Sequence, residues 1–279
     1  MINKIYIAGM MGLGDNIYQR SFIKRIDGDI YLRTPWPEIY KDLCNVFPVK
    51  SETILRTQRK NENKTELQFY ELANVQHEIR CAYQHQNIFN GMAKCFGFNI
   101  KEMDLPDFGK SPVEGEYFVI RPVTVRREWQ NESRNPLPEY IEYAAKQIRL
   151  NGGIVVSVAD LKDGEEWLEG AAPEADITYH KGELSVSQLM ALCQNAKAII
   201  GGIGWIVPAA MAMKKPAFVV CGGQGGYNAP HMITSNLVPH KITFSIPDNH
   251  CMCKLKDHQC DKRISNYEQH LRHWIAALG

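Results

Sequence analysis

The chain has 279 residues, 44% of them apolar, enough to bury a substantial core and to make about two domains. Thirty-two basic against thirty-one acidic residues exclude a global field that would draw it onto nucleic acid or an anionic membrane. No window approaches the ~18 apolar residues of a membrane span, and "MINKIYIAGM" has no signal-peptide cleavage pattern, so a cytoplasmic protein with mostly reduced cysteines is expected.

In chain order, "KIYIAG" predicts a buried strand, and "GMMGLGDNIYQR" a glycine-rich turn running into a helix that puts Ile17, Phe22, Ile23 and Ile26 on one face. Gly14 and Asp15 stand where that turn meets the helix, where an aspartate serves equally as an N-cap or as a carboxylate shown to a cleft. Asp27-Gly28-Asp29 has the D-x-D form of a metal-binding signature, but Gly28 just after a helical run is also a helix stop. "IYLRT" predicts a second, parallel strand. Residues 58–98 show helical spacings, with Leu67, Tyr70, Glu71 and Asn74 followed by a second helix ending near Gly97. The Pro-, Gly- and acid-rich stretch 103–116 reads as a linker. The expected division is 1–108, 109–262 and a final helix in 263–279.

The second half repeats the alternation. "YFVIRP" is a strand, "LPEYIEYAAKQIRLNGG" a helix closed by glycine, and "IVVSVA" a strand. "LSVSQLMALCQNA" is a helix opened by a capping box, Ser185 with Gln188, after which "KAIIGG", "WIVPAAMAMKK" and "PAFVVCGG" continue the rhythm. This predicts an α/β chain with a doubly wound parallel sheet in each half, and ligands beyond the carboxyl ends of the strands. Arg121, Thr124, Arg126 and Arg127 follow one such strand, a guanidinium and hydroxyl cluster that suits a phosphate or is a solvated basic loop. Gly202, Ile203, Gly204 and Trp205 precede a helix start and offer backbone N–H groups to a close ligand, or a tight packing turn. His250, Cys251, Cys253, His258 and Cys260 in the tail are soft ligands for zinc or surface thiols.

"GMMGLGDNIYQRSFIKRI", "VIRPVTVRREW", "GELSVSQLMALCQNAKAIIGG", "PAAMAMKKPAFVVCGG" and the cysteine-bearing tail together resemble the ADP-heptose:lipopolysaccharide heptosyltransferases, the family 9 glycosyltransferases. The resemblance implies two Rossmann-like domains facing a cleft (the GT-B fold), with the last helix crossing back to the first domain. It implies an inverting, metal-independent transfer of sugar from a nucleotide-sugar to an acceptor hydroxyl on a saccharide or glycolipid, with no cofactor and no integral membrane segment. It makes Asp15 the catalytic base, Thr124 and Arg127 the diphosphate contacts with Arg126 adjacent, and Glu165 or Glu166 the ribose contact. Leu184 and Ser185 fall in the stretch that packs on the nucleoside base. Where the family reads G-x-D-T-G-P-x-H, this chain has Gly201-Gly202-Ile203-Gly204-Trp205-Ile206-Val207-Pro208, so heptose does not carry over.

A phage-type DNA base glycosyltransferase stays open because "ILRTQRKNENK" could contact a DNA backbone, although near-zero net charge weighs against duplex affinity. A non-catalytic nucleotide-sugar binder stays open because of the altered donor motif. A Rossmann oxidoreductase is disfavoured, since the G-x-G-x-x-G spacing fails at Ile17, and neither a P-loop nor a G-x-S-x-G elbow is present.

Overall fold

Two all-parallel sheets organise the chain in the computed structural model, which describes residues 3–72, 74–83 and 86–279. The first sheet contains β1 (Lys4–Ala8), β2 (Asp29–Arg33), β3 (Val46–Val49) and β4 (His77–Arg80), in the order β3-β2-β1-β4. Ile7 stands beside Leu32 on one side and Ile79 on the other. Around this sheet run α1 (Leu13–Ile23), α2 (Arg56–Lys64) and α3 (Ile88–Phe96).

The second sheet contains β5 (Tyr117–Arg121), β7 (Ile154–Val158), β9 (Ile177–Tyr179), β10 (Ala198–Gly202), β11 (Ala217–Val220) and β12 (Ile242–Ser245). Its order is β12-β11-β10-β5-β7-β9, with Val119 between Ile199 and Val156. A short antiparallel pair, β6 (Thr124–Arg126) with β8 (Glu166–Leu168), stands apart from it. The helices are α4 (Pro138–Leu150), α5 (Val186–Asn195), α6 (Ile206–Met213), the single turns α7 (Gly225–Asn228) and α8 (Pro230–Ile233), and α9 (Tyr267–Ala276). Among the described residues no helix is long and apolar enough to cross a membrane.

In each sheet the chain moves outward from its first strand and then returns to that strand's other side, so each has one reversal point, between β1 and β4 and between β5 and β10. At such a point the loops leaving neighbouring strands diverge and open a crevice. In the second sheet the central strands β5 and β10 are buried on both faces, which is why they read as unbroken apolar runs.

Ile17, Phe22 and Ile23 are fully buried as their spacing predicts, whereas Ile26 falls in the turn beyond α1. That turn is shaped by Gly28 at φ +107°, where a Cβ would collide with the Asn3 carbonyl, and Asp29 begins β2, so Asp27-Gly28-Asp29 is a turn. α3 ends on Gly97 in the left-handed region, and the Ser185–Gln188 capping box opens α5.

Two expectations are corrected. Residues 65–72 are not helical; Leu67, Tyr70 and Leu72 are exposed and give no buried face to support a helix. Instead the Tyr70 N–H donates to the Pro48 carbonyl at 2.7 Å, and its ring meets Phe47 edge-on, so the segment covers the outer edge of β3. The last helix does not cross to the first sheet. Tyr267, Leu271 and Trp274 of α9 are buried with Ile141 and Ala145 of α4 and Phe218 of β11, because this apolar stripe finds its complement on the second sheet.

Candidate functional site

The turn after β1 is held by a buried polar network. Asn16 is fully buried on the first turns of α1, and its Oδ1 accepts from Thr34 Oγ1 at 2.7 Å, Gln19 Nε2 at 2.9 Å and Tyr40 OH at 3.0 Å. Its Nδ2 donates to the Met10 carbonyl at 2.8 Å and the Gly12 carbonyl at 2.9 Å. Trp36 Nε1 and Gln58 Nε2 both donate to the Met11 carbonyl, at 2.8 and 3.0 Å. The Met10, Met11 and Gly12 carbonyls are thereby satisfied by the scaffold, which holds the turn in place. Asn16→Ala strands several buried donors at once and is expected to cost about 1–3 kcal/mol, read as a lowered urea midpoint; an unchanged midpoint would show that the network carries no stability.

Asp15 projects from this anchored turn into the cleft, and the Gly12 N–H donates to its Oδ2 at 3.2 Å. Burial pushes its carboxyl up to about 6, against the opposing pull of that N–H and of the Arg134 charge. Gly14, next to it, is one of the places where the two halves touch: a Cβ there would lie 3.2 Å from Trp205 Cα and 3.4 Å from Pro208 Cγ, so a side chain would have to push α6 back by a few tenths of an ångström.

The facing wall is built at the reversal point of the second sheet. Arg121 ends β5, and Ile203, Gly204 and Trp205 follow β10 into α6, whose first N–H groups lack intrahelical partners. Arg134 reaches the same place from the loop before α4, its Nη2 donating to the Ile203 carbonyl at 2.6 Å. Burial lowers both guanidinium pKa values, that of Arg121 to about 10 with the help of the nearby Arg126 charge; Asp15 partly offsets the fall at Arg134. For both, burial outweighs the attraction of the nearby carboxylate, Glu166 for Arg121 and Asp15 for Arg134.

Glu166 is the carboxylate that organises the remainder. Only 2% exposed, it accepts from Thr124 Oγ1 at 3.1 Å on Oε1 and pairs through Oε2 with Arg126 Nε at 2.9 Å and Arg56 Nη2 at 2.7 Å. Thr124 in turn accepts from Arg121 at 3.2 Å. With both oxygens engaged, Glu166 orients the cations around it.

The cleft between the two walls has a volume of about 1170 Å³. Gly14, Asp15, Arg121, Thr124, Arg126, Glu166, Leu184, Ser185, Ile203, Gly204 and Trp205 all line it. Three other expected residues do not. Arg127 is exposed, because alternation along β6 turns Thr124 and Arg126 inward and leaves the next residue outside, where its N–H donates to the Glu165 carbonyl. The Glu165 carboxylate turns to Lys162 at 2.5 Å and Arg56 at 3.5 Å. Gly202 faces Pro136, whose Cδ would lie 3.1 Å from a Cβ there.

Arg134 and Tyr83 were not foreseen in the cleft, nor was Arg56 as the partner of Glu166 behind it. Arg134 follows the basic run after β5 and differs from its neighbours only in which way the loop turns, which spacing alone does not reveal.

No family model matches the chain, and no curated protein matches it. Solved structures do. The iron-containing dodecameric glycosyltransferase TibC of enterotoxigenic Escherichia coli superposes with a TM-score of 0.62 at 13% identity, over 99% of this chain and 76% of that one. E. coli heptosyltransferase WaaC with ADP gives 0.59 at 11% identity, over 99% and 100% of the two chains. A family 9 glycosyltransferase from Veillonella parvula gives 0.58 at 10%, over 99% and 97%. The chain therefore has the heptosyltransferase-like fold of the family 9 glycosyltransferases.

Proposed function

We propose that this chain is a glycosyltransferase that moves a sugar from a nucleotide-sugar to an acceptor hydroxyl with inversion, using Asp15 as base and no metal in the cleft. The observation that carries the reading is one carboxylate, held with a raised proton affinity at the reversal point of one sheet, facing desolvated guanidinium groups at the reversal point of the other. An acceptor hydroxyl is a poor nucleophile near neutral pH. As its oxygen attacks the anomeric carbon, its proton passes to Asp15 and the bond from that carbon to the diphosphate oxygen breaks. The positive charge developing on the sugar ring is transient, as in glycoside hydrolysis, while the departing nucleoside diphosphate gains negative charge. Arg121, Arg126, Arg134 and the start of α6 supply fixed donors for that charge.

On the first-sheet side Trp36, Glu38, Lys41 and Lys64 line the cleft, an aromatic edge among hydrogen-bonding groups that suits a saccharide. Two cations of α2 are already neutralised, Arg56 by Glu166 and Lys60 by Asp160 at 2.7 Å, which supports a saccharide or glycolipid acceptor over a DNA backbone. Donor sugar and base are left to experiment, since Ile203, Gly204 and Pro208 stand where the resembling family has its sugar-holding groups.

The test is a panel of nucleotide-sugars scanned by thermal shift, followed by mass spectrometry of candidate acceptors. A nucleoside diphosphate should raise the melting temperature in proportion to the logarithm of its concentration, and the matching sugar donor should release diphosphate when acceptor is added. Binding without release would leave a nucleotide-sugar binder. Activity lost to EDTA and restored by Mg²⁺ or Mn²⁺ would overturn the metal-free cleft.

A further inference from the structure

Cys251, Cys253, His258 and Cys260 gather in the connection between β12 and α9, with one ligand atom from each within 4.8 Å of all the others. Cys253 Sγ lies 3.6 Å from Cys260 Sγ, and His258 Nδ1 lies 3.3 Å from Cys260 Sγ and 3.5 Å from Cys251 Sγ. A zinc tetrahedron with about 2.3 Å Zn–S and about 2.0–2.1 Å Zn–N bonds has edges of about 3.5–3.8 Å. The four atoms thus already stand near the corners of such a polyhedron, and a disulfide, at about 2.05 Å, is much shorter than the Cys253–Cys260 separation. His250, the fifth candidate in the sequence, stays outside the cluster.

The cluster lies against the back of the cleft. The Gly225 N–H donates to the Cys251 carbonyl at 2.8 Å and the Gly226 N–H to the Cys253 carbonyl at 3.1 Å. A Cβ on Gly223 would overlap Cys260 Sγ, so the loop after β11 accepts the knuckle only as glycine. Ser133 is fully buried: its N–H donates to the Lys256 carbonyl at 3.2 Å, its Oγ to the Leu255 carbonyl at 2.6 Å, and its own carbonyl accepts from the Gly223 N–H at 2.7 Å. The next residue is Arg134.

We propose that Cys251, Cys253, His258 and Cys260 bind one zinc(II) as a structural centre, and that this centre fixes the loop whose next side chain, Arg134, enters the cleft. The first half of the proposal stands on the donor set alone; the second rests on the diphosphate reading given above. Three thiolates and one neutral imidazole are a closed structural set for zinc, and binding would release the thiol protons to solvent. Without the ion, residues 251–260 have little of their own to hold them: the segment carries no helix or strand and His258 is exposed.

The experiment uses the full chain, purified without a metal-affinity step. Elemental analysis should find about one zinc per chain, lost in Cys253→Ser and Cys260→Ser and kept in Cys253→His, which preserves a ligand atom. Cys44→Ser, at an exposed cysteine outside the cluster, should also keep it. Release of zinc by an organomercurial, followed with a metal-sensing dye, should weaken nucleoside diphosphate binding about tenfold in the parent and much less in Arg134→Ala. Free alkylation of all three thiols, Cys251, Cys253 and Cys260, with no metal present, or a Cys253–Cys260 disulfide by mass, would overturn the site. About one iron per chain in place of zinc would overturn the ion. Zinc release that leaves nucleotide affinity unchanged would overturn the link to Arg134. A parent chain that holds zinc but binds no nucleotide would sink the transferase reading and leave the metal centre standing.

Discussion

Asp15→Asn is expected to lower turnover by about 10²–10⁴ while nucleoside diphosphate affinity stays near that of the parent and the melting temperature does not fall. The amide keeps an oxygen to accept the Gly12 N–H, so the turn survives, but it cannot take a proton from the acceptor. Asp15→Ala loses that bond as well, at about 1 kcal/mol. With the carboxyl raised to about 6, the parent's turnover should fall as pH drops through about 6, and the residual rate of the Asn variant should lack that limb. Stability runs the other way. The folded-state pKa lies above the roughly 3.9 of an unfolded aspartate, so the folded chain binds more protons between about pH 4 and about pH 6 and loses stability as pH rises through that window. Parent and Asn variant should therefore melt alike near pH 4 and diverge by pH 8 in favour of the variant. Parent-like turnover in Asp15→Asn would reduce Asp15 to a capping residue, and a retained anomeric configuration by NMR would rule out direct displacement.

Arg134→Ala should weaken nucleoside diphosphate binding by about 1.5–3 kcal/mol, a loss of roughly ten- to more than a hundredfold, because a charge-assisted bond made in a desolvated site is removed. Turnover should fall too, since the diphosphate gains charge as it leaves. Arg134→Lys should recover little: one ammonium cannot both donate to the Ile203 carbonyl and present a planar pair of donors to a phosphate. Arg127→Ala is the control. Exposed and outside the cleft, Arg127 should leave affinity unaltered, and calorimetry that ranked it with Arg134 would move the diphosphate to the outer face of β6.

The contrast between these two arginines shows where sequence reading runs out. Strands β1, β2, β5, β7, β10 and β11 were legible because apolar runs between glycine turns have few other uses, and Asp15 was legible because a carboxylate beside glycines at a strand end is conspicuous. The choice of Arg134 over Arg127 depends on the path of a loop that turns back to Ile203, which no local pattern encodes. The helical spacing at Leu67–Asn74 misled because periodicity measures what could be buried, whereas here the Tyr70 N–H was needed to satisfy the edge of β3. Glu166 was legible as an acidic residue of the site, but not as one whose oxygens are taken up by Thr124, Arg126 and Arg56. Asn16 carries no signal in the sequence, because its five side-chain bonds involve residues as distant as Tyr40.

The bare Cα of Gly14 against Trp205 has a mechanical consequence. The contact is not isolated: Tyr18 OH donates to the Ile233 carbonyl at 2.6 Å, and Arg56 and Lys60 of α2 pair with Glu166 and Asp160, so Gly14 lies in one continuous packed seam between the sheets. Asp15 is the next residue after Gly14 and Arg134 is held to the strand-end loop before Trp205, so base and cation are both set by that seam. A side chain at position 14 would push on Trp205 and so be felt as a change in the spacing between base and leaving group.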